Sequence, residues 1–168
     1  GENVTTIFMN NAIYGMTGGQ IAPTSMIGQK STTSPAGRNI WNEGYPLHVS
    51  EVLGALEGPA YIERVALGNN KMIQGAAKAI KKALQAQMDG RGFSFIEVLS
   101  PCPTVWGKDP IDAQHWVRDE MTKVYPLGVV CDRVREEKRP ARPDPESLHF
   151  EFPLGEPPML DAPAAPVD

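Results

Sequence analysis

Cysteine is nearly absent: Cys102 and Cys131 are the only two in 168 residues. That excludes a disulfide framework, and with no Cys-x-x-Cys pair it excludes a self-contained zinc or cluster site as well. No apolar run approaches the roughly 20 residues that a spanning helix needs. The mean hydropathy of -0.29 agrees, so an integral membrane protein is excluded. A charged start followed by an apolar stretch and a small-residue cleavage site is also missing; no secretory leader is expected, and the expected setting is the cytoplasm. Excess positive charge is lacking, with 16 Lys and Arg against 20 Asp and Glu. A net charge of -4 argues against nucleic-acid binding driven by counterion release. The three histidines, His48, His115 and His149, fall in no motif and read as structural or surface residues. No general base is evident.

What the chain has in quantity is glycine and proline, 16 of each. From Pro140 the prolines recur at 143, 145, 153, 157, 158, 163 and 166, which discourages both helix and central strand. Residues 133–168 are therefore expected to form an extended, charged and proline-rich tail after a globular part at 1–132. Within the tail, residues 148–154 alternate apolar and polar side chains and suit an edge strand.

In the globular part, short β-branched runs at residues 4–9, 59–67 and 92–99 read as strands, bounded by Gly and Pro. Helical periods lie between them at 49–56 and 70–88, with a third following at 110–123. The longest places Ile73, Ala76, Ala77, Ile80, Leu84 and Met88 on one face and Lys71, Lys78 and Lys82 on another. The third is expected to start from an Asp109 N-cap with Pro110 in its first position and to anchor through Ile111, Trp116, Val117 and Met121. Strands separated by helices of this length imply parallel pairing through right-handed crossovers, hence an α/β fold with a parallel sheet and flanking helices.

Two loops after strands carry chemistry. Asn10-Asn-Ala-Ile-Tyr-Gly-Met-Thr-Gly-Gly-Gln20 follows the first strand, at the carboxyl end of the sheet where ligands bind in open α/β folds. The Asn11 side chain and the Ile13 carbonyl offer neutral oxygens to a hard cation, and Gly15, Gly18 and Gly19 let the chain approach a phosphate closely. The same residues also serve as ordinary turn formers. Ser100-Pro-Cys-Pro-Thr104 follows the third strand, and its flanking prolines hold Cys102 in an extended, non-helical position suited to a thiolate ligand. Cys131, in Gly128-Val-Val-Cys-Asp132, reads as a small core residue.

Taken in order, the Asn10–Gln20 motif, Gly28-Gln-Lys-Ser-Thr-Thr33, Pro59-Ala-Tyr-Ile-Glu-Arg64, Ser100-Pro-Cys-Pro-Thr104 and Tyr125-Pro-Leu-Gly128 resemble the β subunit of the 2-oxoacid:ferredoxin oxidoreductases. The wording is nearest to the members acting on 2-oxoglutarate and branched-chain 2-oxoacids. The resemblance runs from about residue 4 to 131 and implies the C-terminal part of a pyrophosphate-type, thiamine diphosphate-binding domain. It implies oxidative decarboxylation of a 2-oxoacid to an acyl-coenzyme A and carbon dioxide, with electrons passing through an iron–sulfur cluster to ferredoxin. The partners it implies are an α subunit and other subunits, ferredoxin, coenzyme A and the 2-oxoacid.

Carried over by position, Asn11 and the Ile13 carbonyl correspond to the family's Mg2+ ligands. Tyr14, Gly15, Met16, Thr17, Gly18, Gly19 and Gln20 correspond to the loop beside the diphosphate and thiazolium. Cys102 corresponds to the last of the four cysteines of a [4Fe–4S] cluster. The family's Gly-Asp-Gly segment, its other three cluster cysteines and its first strands would lie upstream of Gly1, so the chain is expected to begin mid-domain and to be inactive alone. Two other readings stand beside this one: a non-catalytic interaction subunit without a complete cofactor site, and a thiamine diphosphate decarboxylase without iron–sulfur chemistry. The second leaves Ser100–Thr104 without a role.

Overall fold

Residues 2–134 are described by the structure, a computed structural model. The strand expected at 148–154, His149 and nearly all of the proline-rich tail lie outside those residues. Strands β1 (Thr5–Asn10), β2 (Tyr61–Ala66) and β3 (Ser94–Leu99) are parallel, with β3 in the centre. A fourth strand, β4 (Gly128–Asp132), pairs antiparallel with β2, giving the order β1-β3-β2-β4. The expected parallel sheet is thus a mixed one. Its fourth strand escapes sequence reading because only Cys131 of its five residues is buried, leaving no alternation to detect.

Right-handed crossovers move the connecting helices to opposite faces because β1 to β2 steps forward past β3 while β2 to β3 steps back. Helix α2 (Asn70–Met88) covers the face formed by Tyr61, Val65, Ile96 and Val98, and α1 (Val49–Gly54) packs on Ile62, Phe95 and Cys131 behind it. Asn69 caps α2 by accepting a hydrogen bond from the Met72 N–H. The residues α2 turns to the sheet are Ala76, Ala79, Ala83 and Ala86, while Ile73, Ala77, Leu84 and Met88 stay exposed. Of the expected apolar face only Ala76, which is buried, and Ile80, which packs partly on the same core, meet the sheet, so the buried stripe is turned toward the alanines, whose small side chains let the helix lie close to the sheet.

A short helix, α3 (Pro103–Trp106), starts directly after Cys102. Cys102 itself is non-helical, as its prolines require, but its carbonyl already accepts from the Trp106 N–H at 3.1 Å. Helix α4 (Pro110–Trp116) runs through a π-helical stretch, Val117–Met121, into the final turn α5 (Thr122–Val124). Asp109 sits at the N-cap but makes no side-chain cap, and of the four expected anchors Val117 and Met121 are buried, Trp116 packs on Trp106 at 4.3 Å, and Ile111 is exposed. Arg133 still belongs to the fold: its N–H donates to Ala60 and its guanidinium to the carbonyls of Leu56, Glu57 and Pro59. Among the described residues no helix is long and apolar enough to cross a membrane.

Candidate functional site

The chain turns at the end of β1 in a conformation that costs energy. Ala12 is fully buried and has φ +56°, in the left-handed region that residues with a Cβ rarely adopt. Its neighbours hold it there. Asn10 Oδ1 accepts from the Ala12 N–H at 3.0 Å, and Asn11 Oδ1 accepts from the Ile13 N–H at 3.2 Å. The Ala12 carbonyl in turn accepts from Ser25 Oγ at 2.6 Å and Gln29 Nε2 at 2.9 Å. Strain that the surroundings over-determine is a mark of functional turns.

Beyond the turn, Tyr14 and Gln20 close a small loop, the Tyr14 N–H donating to Gln20 and the Gly19 and Gln20 N–H groups to Tyr14. Gly19 has φ +77°, which a side chain would strain. Thr17 and Gln20, whose contacts the sequence leaves open, touch each other at 2.8 Å. The loop separates two clefts. One, of about 360 Å³, is lined by Phe8, Met9, Asn11, Tyr14, Met16 and Leu47 among others, with no charged group. The other, of about 530 Å³, lies between Gly15, Gly18 and Gly19 and the strip Lys30, Ser31, Thr32.

Tertiary structure brings Cys102 to this loop. A Cβ placed on Gly15 would sit 3.7 Å from Cys102 Sγ, an ordinary contact, and 3.2 Å from Val105, a tight one, so Gly15 lies against the Cys102 loop with little room for a side chain on the Val105 side. Cys131, by contrast, is buried against the Pro59 carbonyl, far along the sheet in β4.

Beneath the turn lies a charged network that sequence reading did not pick out. On the α1 face, Glu97 of β3 accepts from Asn10 Nδ2 (2.7 Å), Ser50 Oγ (2.5 Å) and Arg64 Nε (2.8 Å). Arg64 reaches on to Glu51 and to the Pro126 carbonyl. Glu97 and Arg64 are essentially without solvent contact. Burial works against the Arg64 charge, but its hydrogen bonds to Glu51 and the nearby Glu97 raise its pKa overall, and Arg64 holds the Glu51 carboxyl below its ordinary value. Burial, reinforced by Glu97, pushes the Tyr125 phenol up, so it stays neutral and donates to the Thr24 carbonyl at 2.6 Å. His48 lies against Tyr125, with ring centroids 5.2 Å apart and tilted by 50°, and its Nδ1 is 3.8 Å from Glu51.

Arg38 was equally silent in the sequence. Its buried guanidinium donates to six backbone carbonyls, those of Ala22, Pro23, Ser25, Glu43, Gly44 and Tyr45, and so folds the long connection between β1 and α1 around one side chain. Arg38→Ala strands those acceptors and is expected to cost at least about 3 kcal/mol, since each bond to a charged group contributes about 1.5–3 kcal/mol. Arg38→Lys should do little better, because an ammonium has three donors and no fork. Thermal melts with limited proteolysis of residues 22–45 check this; a variant melting within about 1 °C of wild type would show that the loop holds itself.

The donor set bears on which groups the site can hold. Neutral oxygens on Asn11 and Ile13 suit a hard cation that already carries phosphate oxygens and water. No carboxylate lines either cleft, and among the described residues no three of His, Cys, Asp and Glu cluster as a metal site. The glycine-lined surfaces fit a diphosphate, and Cys102 fits one corner of a cluster but supplies only one thiolate.

Comparison with known proteins bears on the same site. The family model for the thiamine pyrophosphate enzyme C-terminal TPP binding domain matches residues 1–98. The ketoisovalerate oxidoreductase subunit VorA of Methanothermobacter thermautotrophicus is 47% identical over 136 residues, covering 81% of this chain and 28% of that protein. The 2-oxoglutarate synthase subunit KorB of Methanothermobacter marburgensis is 32% identical over 166 residues, covering 96% of this chain and 49% of that protein. A solved 2-oxoglutarate:ferredoxin oxidoreductase from Magnetococcus marinus, with 2-oxoglutarate, coenzyme A and succinyl-CoA bound, aligns with a TM-score of 0.55 at 25% identity, over 77% of this chain and 47% of that one. The chain thus spans half or less of the length of these relatives.

Proposed function

The chain belongs to the thiamine pyrophosphate enzymes through their C-terminal TPP-binding domain, and from that premise we propose that it works as part of the cofactor-binding subunit of a 2-oxoacid:ferredoxin oxidoreductase. The observation that carries the reading is the strained Asn10–Ile13 turn with its glycine loop pressed against Cys102. When bound, thiamine diphosphate supplies the carbanion chemistry of decarboxylation; the protein supplies placement. Asn11 Oδ1 and the Ile13 carbonyl would hold a Mg2+ that neutralises the diphosphate. The loop from Tyr14 to Gln20 lies along the cofactor, with Gly15, Gly18 and Gly19 giving close backbone approach. Cys102 would supply one thiolate to a cluster, which would provide the route for electrons toward ferredoxin, and coenzyme A would be the acyl acceptor. An acidic ligand and three further thiolates would have to be supplied from outside the described residues, and the enzyme works as a complex of subunits. Two free cysteines suit the reducing cytoplasm.

The substrate we infer is a 2-oxoacid with an apolar, branched side chain. The uncharged cleft is walled by Phe8, Met9, Met16 and Leu47, while Lys30 lines the other cleft, across the loop. A second substrate carboxylate in the first cleft would be desolvated without a partner. The relative named for ketoisovalerate, at 47% identity, supports the same choice. In the assembled enzyme, kcat/KM for 2-oxoisovalerate should exceed that for 2-oxoglutarate by about 100-fold or more, the discrimination that about 3 kcal/mol gives. A preference for 2-oxoglutarate would overturn the apolar assignment.

A further inference from the structure

Helix α2 breaks three local rules at once. Its 19 residues hold Lys71, Lys78, Lys81 and Lys82 and no acid, although the chain as a whole is acidic at -4. Lys71 stands in the first turn, where the helix dipole disfavours a cation. Gly75 stands inside the helix, where glycine is less stable than alanine, and a Cβ placed on it would meet nothing within 4 Å. Neither packing nor a turn among the described residues requires a glycine there. Local costs that nothing nearby offsets point to something that lies against the helix.

These residues share one flank. At about 100° per residue, Lys71, Gly75, Lys78 and Lys82 fall within a sector of about 60°. Lys82 shows which way the sector looks: its Nζ meets Asp132 of β4 at 2.6 Å and lies over the Tyr61 ring. Between this flank and β4 runs a cleft of about 230 Å³, lined by Val65, Met72, Gly75 and Leu127 among others. Its one lining carboxylate, Glu63, accepts from the Tyr61 hydroxyl. Lys71, Lys78 and Lys81 make no ion pair among the described residues. The groove lies at the β4 edge of the sheet, opposite the edge formed by β1.

The chain itself leaves the fold at this groove. Asp132 ends β4 on Lys82, and Val134 packs against the core of Tyr61, Val65 and the α2 alanines. Beyond Arg142 the sequence carries Asp144, Glu146, Glu151, Glu156, Asp161 and Asp168 and no Lys or Arg. Among these acids stand Leu148, Phe150, Phe152 and Leu154.

We infer that the groove is the seat of this chain's own acidic segment, residues 144–156, with its phenylalanines at the cleft beside Gly75 and the flanking carboxylates on Lys71, Lys78 and Lys81. Reach permits it. The ten residues from Val134 to Asp144 can span up to about 35 Å, whereas Lys71 and Lys82 are only about 16 Å apart along the helix. Charge matches as well, an acid-only segment meeting an acid-free helix. Attachment favours this occupant over a free partner, because a tethered segment is present at an effective concentration of order millimolar. The same face of a second copy fits poorly, since it would set lysine against lysine. Nothing in this docking requires the thiamine diphosphate chemistry proposed above.

The test is carbodiimide cross-linking, which joins a lysine to a carboxylate in direct contact, applied to the 168-residue chain in its assembled complex and mapped by mass spectrometry. The ion pair of Lys82 with Asp132 supplies the internal reference. The expected adducts run from Lys71 and Lys78 to carboxylates of residues 144–156, with both ends in one chain when 15N-labelled and unlabelled chains are mixed before assembly. Gly75→Leu, which fills the cleft, and Phe150→Ala/Phe152→Ala, which empties it, should each lower those yields about five-fold relative to the reference. Adducts that join a labelled to an unlabelled chain, or that join Lys71 and Lys78 to a companion subunit, would overturn the assignment. So would their absence beside a full reference yield, or a yield that either variant leaves unchanged, the mark of chance collision.

Discussion

Glu97→Ala should destabilise the chain by about 3–5 kcal/mol, the usual result of removing one partner from a buried ion pair. Arg64 would keep Glu51, which is 44% exposed, and the Pro126 carbonyl, but its Nε would lose the acceptor at 2.8 Å. Asn10 Nδ2 and Ser50 Oγ lose their acceptor at the same stroke. For a domain of this size the melting temperature falls by about 10 °C or more. The damage should reach the site as well, because Asn10 also holds the Ala12 N–H and with it the strained turn that carries Asn11. Glu97→Gln should fail nearly as badly, since one face of its amide would set an N–H donor against Arg64 or fill the place of the second acceptor. The paired change Arg64→Met/Glu97→Leu should cost less than either single change, as double replacement of buried ion pairs often does. Calorimetric melts of the four chains decide it: single variants within about 1 kcal/mol of wild type would mean that the charges are not coupled.

Cys102→Ser in the assembled enzyme should lose cluster iron and most ferredoxin reduction, whereas Cys131→Ser should leave both unchanged and alter packing alone. The contrast follows from location. Cys102 is partly exposed in the loop after β3 and abuts Gly15 of the cofactor loop, while Cys131 is buried in β4 beside Ile62 and Phe95. A soft thiolate sets both the stability and the potential of an iron–sulfur cluster, and a serine oxygen does neither in the same way. Iron content and the electron paramagnetic resonance signal of the reduced enzyme are the readouts. Full iron and an unaltered ferredoxin reduction rate in Cys102→Ser would leave this cysteine as a small residue in a rigid proline loop.

The parts of this molecule that local pattern controls could be read from its sequence. Strands near 4–9, 59–67 and 92–99 and the helix over 70–88 follow from periodicity and from their Gly, Pro and Asn boundaries, and these in turn dictate parallel pairing. The Asn10–Gln20 and Ser100–Thr104 loops stood out because they follow strands and hold unusual residue types, and the structure sets them side by side. What stayed hidden depended on residues distant in the chain. Strand β4 exists through pairing with β2, some 65 residues earlier, and has no inward–outward alternation of its own. Arg38 reads as a surface charge until six carbonyls from residues 22–45 converge on it. Glu97 and Arg64 sit at inward positions of mostly apolar strands, and only the alignment of β2, β3 and α1 turns two improbable buried charges into a satisfied network.

Helix α2 shows the division most plainly. Sequence alone determined that residues 70–88 form a helix, with Ile73, Ala76, Ala77, Ile80, Leu84 and Met88 as its expected apolar face. It did not fix which side chains meet the sheet, because hydrophobicity rewards burying larger apolar residues and is nearly blind to the alanines at 79, 83 and 86 between them. The tertiary structure decided for the alanines, since a helix lying over the pleated surface of β2 and β3 packs most closely through its smallest side chains. Ile73, Leu84 and Met88 were thereby left facing outward, while Ile80 packs partly on the core.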